Sequence, residues 1–252
     1  MNIKKKINYS PNFNSKKRNF SQIKFLVFHY TGMKYESDAI NRLTNIQSEV
    51  SSHYLIKNNG DIILMVPESY IAWHAGVSFW RRYKFINKYS VGIEISNPGH
   101  SYNYKKYSNK QTKSILKLTR YLIKKYKIKP FNIVGHSDIA PSRKKDPGEK
   151  FPWSYLAKKK IGMWHDLKLK NLSNERQLKT NDLEKNKFLK NLNKIGYSKY
   201  KNNKSNYVKN LTLAFQRRFR QDLISGIIDQ ECLLISENLV KKINKLSWIF
   251  KV

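Results

Sequence analysis

The sequence predicts an α/β fold followed by a small all-α domain of three helices. Short apolar runs suited to buried strands alternate with helix-period segments through residues 1–164. A polar stretch at 165–180, HDLKLKNLSNERQLKT, then breaks the pattern and reads as a linker. Only amphipathic segments come after it, over 181–252.

Each element has its own signal. IKFLVF (23–28) is almost continuously apolar, as a strand covered on both faces should be, and it ends at His29. Ser37 is placed to cap a helix bearing Ile40, Leu43, Ile46 and Val50. Asn58-Asn59-Gly60 separates two strand-like runs and predicts a hairpin. In VGIEIS (91–96), Val91, Ile93 and Ile95 alternate with Gly92 and Glu94. Ser108 and Gln111 form a capping box for a helix carrying Ile115, Leu118, Leu122 and Tyr126. Pro130 lies beyond its end, and the strand FNIV (131–134) comes next. Of the three late helices, Leu183, Phe188, Leu189 and Leu192 mark the first, and Val208, Leu211, Phe215 and Phe219 the second. Leu239, Ile243 and Leu246 mark the third. Residues 1–20 read as an N-terminal extension.

The net charge of +33 over 252 residues suits an acidic partner: nucleic acid, an anionic membrane or an acidic polymer. The same count also suits AT-rich codon usage, because Asn, Ile and Tyr are abundant and the lysines are spread evenly. No nucleic-acid motif accompanies the charge, so nucleic acid is not an expected partner. The single cysteine, Cys232, excludes an intrachain disulfide and a thiolate zinc cluster, and reads as a buried helix residue. No apolar run approaches the roughly 20 residues of a transmembrane helix. The basic N-terminus lacks the apolar core of a signal peptide, and no early cysteine could carry a lipid.

His29 and His136 stand at the C-terminal ends of predicted strands, where sites in α/β folds collect. With Asp146 they offer the three nitrogen or oxygen ligands that a catalytic zinc takes, leaving its fourth position to water. Spacing alone does not decide this, since each histidine taken singly is more often structural. Glu94 interrupts an apolar strand, which suits either a general base or a carboxylate on a solvated sheet face. Lys144, two residues before Asp146, would point the same way in an extended loop and could meet an oxyanion, or could simply be solvated. His74 could bind a substrate carbonyl or pack against Trp73. His53 reads as structural, and His100 and His165, in polar segments, receive no role.

HYT (29–31), SSHYLI (51–56), AWHAG (72–76), VGIEISN (91–97) and GHSDIAPSRKKDPG (135–148) occur in that order, with FPW at 151–153. Together they resemble the zinc-dependent N-acetylmuramoyl-L-alanine amidases of the amidase type 2 family, which share their fold with peptidoglycan recognition proteins; the resemblance implies a mixed central β-sheet flanked by helices. LTLAFQRRFR (211–220) and GIIDQECLLISENL (226–239) resemble a peptidoglycan-binding domain that some members carry. The resemblance implies His29, His136 and Asp146 as ligands of one Zn2+, Glu94 as the catalytic carboxylate and Lys144 as an oxyanion partner. It implies His74 as an aid to substrate binding. The implied substrate is peptidoglycan or muropeptide, cut between N-acetylmuramic acid and L-alanine by a monomer. The alternative is a recognition protein that binds without cutting. Resemblance places the chain in the bacterial cell envelope, whereas the N-terminus as read suits the cytoplasm.

Overall fold

The computed structural model describes residues 5–199 and 205–249. In chain order its strands are β1 (Lys6–Ile7), β2 (Phe13–Asn14), β3 (Phe25–Tyr30), β4 (Tyr54–Ile56) and β5 (Ile62–Leu64). They continue with β6 (Ile71–Ala72), β7 (Phe79–Trp80), β8 (Tyr83–Lys84), β9 (Ser90–Ile95) and β10 (Ile133–Gly135). The helices are α1 (Glu36–Thr44), α2 (Asn109–Tyr126), α3 (His136–Ile139) and α4 (Trp153–Lys158). After them come α5 (Leu169–Glu175), α6 (Asp182–Ile195), α7 (Ser205–Phe219) and α8 (Gln230–Ile249).

Six strands form the central sheet in the order β1-β5-β4-β9-β3-β10. The β4–β5 hairpin is antiparallel and the other pairings are parallel, so the sheet is mixed, as predicted. Lys57 N donates to Asp61 O across the Asn58-Asn59-Gly60 turn, at 2.9 Å. On one sheet face Leu26, Phe28, Val91, Ile93 and Ile95 pack against Ile115, Leu118 and Leu122 of α2. Each of those α2 side chains is fully buried, a contribution of roughly 1.5–3 kcal/mol apiece. The predicted capping box starts this helix: Gln111 N donates to Ser108 Oγ at 3.1 Å, and Ser108 N to Gln111 Oε1 at 3.0 Å.

The opposite face carries Phe25, Val27 and Val134, which join Phe188, Leu192, Phe215 and Leu239 of the late helices in one continuous cluster. The sheet and the C-terminal helices thus share a core. Three segments differ from expectation. Helix α1 begins after Tyr35 without a side-chain cap and ends at Thr44, so Ser37 lies within its first turn and Ile46 is exposed. The 165–180 stretch holds α5, whose Leu172 is buried; one anchoring leucine in a polar run leaves no periodicity to read. Residues 5–20 supply β1, β2 and the buried Arg18, because two-residue strands carry no alternation.

Candidate active site

Parallel register sets the site. His29 of β3 pairs with Glu94 of β9, and Gly135 of β10 pairs with Phe28, so Glu94, His29 and His136 line up across three neighbouring strand ends. His29 falls on the face of Phe25 and Val27, opposite Leu26 and Phe28, by simple alternation. Asp146 arrives from the loop after α3. Its carbonyl accepts from Ser137 N at 2.8 Å, and its peptide to Pro147 is cis. Tyr104 and Tyr107 both donate to Pro147 O at 2.7 Å. Gly135 makes room for this loop, since a Cβ there would lie 2.6 Å from Pro147 Cδ.

The three expected ligands converge. His29 Nδ1, His136 Nδ1 and Asp146 Oδ2 lie 2.9–3.0 Å from one another, and all three residues are buried. His136 Nε2 faces the Ala75 carbonyl at 3.1 Å. A carbonyl only accepts, so the proton of the neutral ring sits on Nε2 and its Nδ1 presents a lone pair. Lone pairs from imidazole aimed at the same point as a carboxylate oxygen repel unless a cation lies between them. A tetrahedral ion with bonds of about 2.0–2.1 Å suits such a set. Burial opposes charge on both groups. It takes His29 down to about 4, helped by His136 and Lys144. Burial raises Asp146, but charge and hydrogen bonds from His136 and His29 outweigh it and lower the carboxyl; once both rings are neutral with Nδ1 bare, that stabilising role falls to a cation between the three groups.

Glu94 stands beside this cluster, half-buried, with Oε2 lacking a hydrogen-bond partner among the described residues. Burial, then the charge of Asp146, pushes its pKa up to about 8, against the pull of Lys144. Glu94 and Lys144 line a cleft of about 420 Å3 with His29, His136 and Asp146. His74 touches the same cleft, but its ring sits behind His29. Nδ1 is 3.0 Å from His29 Nε2, and Nε2 is 3.0 Å from Ser90 Oγ. Both ring nitrogens are engaged by protein, which leaves none for a substrate carbonyl. Gly92 accommodates the ring, because a Cβ there would approach it to 2.4 Å. His53 is buried below, its Nδ1 accepting from Gly92 N at 3.0 Å.

Sequence reasoning missed three residues around the site. His100 lies on the cleft, between the Tyr30 hydroxyl at 2.9 Å and Glu149 at 3.1 Å. Ser90 reads as an ordinary strand residue until its hydroxyl is placed against His74. Asp138, two residues after His136, is gripped from the C-terminal half: Arg218 Nη1 donates to it at 2.5 Å and the Tyr197 hydroxyl at 2.6 Å. These partners lie 80 and 59 residues further along the chain, so no local signal marks the contact.

Residues 19–149 match the N-acetylmuramoyl-L-alanine amidase family (Amidase_2). The chain is 36% identical to N-acetylmuramoyl-L-alanine amidase AmiD of Escherichia coli over 88% of its length and 84% of the relative's. It belongs to this family. The 1,6-anhydro-N-acetylmuramyl-L-alanine amidase AmpD of E. coli is 40% identical over 42% of this chain and 55% of its own length. Among solved structures, E. coli AmiD in complex with anhydro-N-acetylmuramic acid-L-Ala-D-gamma-Glu-L-Lys superposes with a TM-score of 0.79. That pair is 36% identical, covering 88% of this chain and 90% of the other. AmpDh3 of Pseudomonas aeruginosa gives a TM-score of 0.77 at 32% identity, over 88% and 92% of the two chains. The likeness to AmiD and AmpDh3, over 88% of this chain, therefore extends beyond residues 19–149, the segment that matches the family model.

Proposed function

We propose that this chain is a zinc-dependent N-acetylmuramoyl-L-alanine amidase, hydrolysing the amide between N-acetylmuramic acid and L-alanine in peptidoglycan or muropeptides. The observation that carries the proposal is the convergence of His29 Nδ1, His136 Nδ1 and Asp146 Oδ2 within 2.9–3.0 Å, beside an unpartnered Glu94 oxygen. Zinc held by those three residues would act as a Lewis acid toward the scissile carbonyl and make water available as a nucleophile near neutral pH. Glu94 takes the proton of the attacking water and delivers it to the departing alanine nitrogen. Its free Oε2 suits that exchange, and a dication nearby favours its carboxylate form. Lys144, on the same cleft, offsets the negative charge that develops on the carbonyl oxygen. A protein that only recognised peptidoglycan would dispense with Glu94 or a ligand, and all four positions are filled.

Catalysis belongs to residues 1–164 in this reading, and glycan contact to 181–252. Arg218 and Tyr197, reaching back to Asp138, support giving the late helices a second task of bracing the short helix α3 that His136 begins. Glu94→Gln keeps the ligand set and removes the base. It should bind one zinc per chain and hydrolyse a muropeptide about 10²–10⁴-fold more slowly. Unchanged turnover in that variant would remove Glu94 from the mechanism.

A further inference from the structure

We propose that His74 and Ser90 are positioning residues which fix the tautomer of His29, so that its Nδ1 reaches the ion as a bare lone pair. The inference rests on the zinc reading above. It starts at Ser90, whose hydroxyl owns one proton. Ser90 Oγ lies 2.8 Å from the Ile86 carbonyl and 3.0 Å from His74 Nε2. The carbonyl can only accept, so the hydroxyl proton goes there and Oγ accepts from His74 Nε2–H. A neutral imidazole has one N–H. His74 Nδ1 is therefore a lone pair, and it faces His29 Nε2 at 3.0 Å. His29 must place its proton on Nε2, and its Nδ1 is left bare toward His136 and Asp146.

The reverse chain is poorer at both ends. It would turn the Ser90 proton away from Ile86 and set a proton on His29 Nδ1, in the middle of the ligand cluster. Water cannot easily reset the choice, because Ser90, His74 and His29 are all at least nine-tenths buried. The His74 backbone is also held: His74 N and Ala75 N both donate to Asn87 Oδ1, at 3.1 and 2.7 Å. Ala75 in turn offers its carbonyl to His136 Nε2. The segment His74-Ala75 thus orients both imidazole ligands, one through a ring and one through a carbonyl. Outer partners of this kind commonly change metal affinity by about 10–100-fold.

The test compares the parent with Ser90→Ala, which removes one oxygen, and with His74→Gln, whose amide oxygen can still accept from His29. Zinc dissociation constants are measured by competition with a chromophoric chelator. The His29 tautomer is read from imidazole 15N shifts in the metal-free proteins. Ser90→Ala should bind zinc about 10–100-fold more weakly and show a mixed His29 tautomer. His74→Gln, if folded, should keep affinity closer to the parent than Ser90→Ala does. Parent-like affinity in Ser90→Ala, with His29 still protonated at Nε2, would overturn the relay. A parent that binds no zinc would instead overturn the zinc reading, while the 15N shifts would still decide the relay.

Discussion

His53 shows what it costs to bury an imidazole without a metal to use it. Its Nδ1 accepts the Gly92 amide, its Nε2 faces the Tyr70 carbonyl at 3.2 Å, and the Arg18 guanidinium lies 2.9 Å away. Burial first, and then Arg18, holds its pKa well below 6.5. His29, His74 and His165 are shifted in the same direction, chiefly by burial. The unfolded chain protonates these rings near 6.5 while the folded one resists. Stability is therefore fully present above that pH and falls as pH drops below it. Each such group adds a slope of up to about 1.4 kcal/mol per pH unit. Denaturant unfolding of the metal-free protein should give lower stability at pH 5 than at pH 7, because the four depressed histidines outweigh Glu94, whose carboxyl, raised to about 8, contributes the opposite slope up to that pH. A flat profile from 5 to 7 would contradict that balance.

At the scale of elements, the site depends on β9, β3 and β10 presenting Glu94, His29 and His136 in register, with α7 clamping the short helix α3 that His136 begins. Arg218 bridges the two halves, donating to Asp138 and to the Ile133 carbonyl at 2.7 Å while its guanidinium lies 4.5 Å from the Trp153 ring centre. Truncating it to alanine leaves Asp138 buried with one charge partner fewer. Arg218→Ala should lose about 3–5 kcal/mol of stability in urea. Lys187→Ala, which breaks an ion pair with an exposed lysine, should change it by no more than about 1 kcal/mol. Equal effects in the two variants would contradict the clamp. The strands and α2 were legible because alternation, an NNG turn and a capping box are local signals. Arg18, α5 and the Asp138 contacts were not, since each depends on partners tens of residues away. His74 was legible as a site histidine, yet its direction was not, because only the Gly92 and Ser90 contacts turn it toward His29.

Over the whole molecule, the two groups of elements are joined by one apolar cluster that runs from Phe25 and Val134 to Phe188, Phe215 and Leu239. No helix among the described residues is long and apolar enough to cross a membrane. Among the described residues, buried carboxylates such as Asp138, Asp229 and Glu231 are paired with the buried Arg218 and Arg220, so the buried charges largely cancel and the cationic excess of the chain faces solvent. Such a surface favours approach to a polymer rich in peptide carboxylates and weakens with added salt. Periodicity foretold three late helices, but their packing against the sheet could not be read from it. The most direct measurement is mass spectrometry of a purified muropeptide incubated with the protein, before and after zinc chelation and again after zinc is restored. Release of free stem peptide that stops on chelation and resumes with zinc is the expected result. A muropeptide that stays intact while zinc is fully bound would contradict the amidase reading.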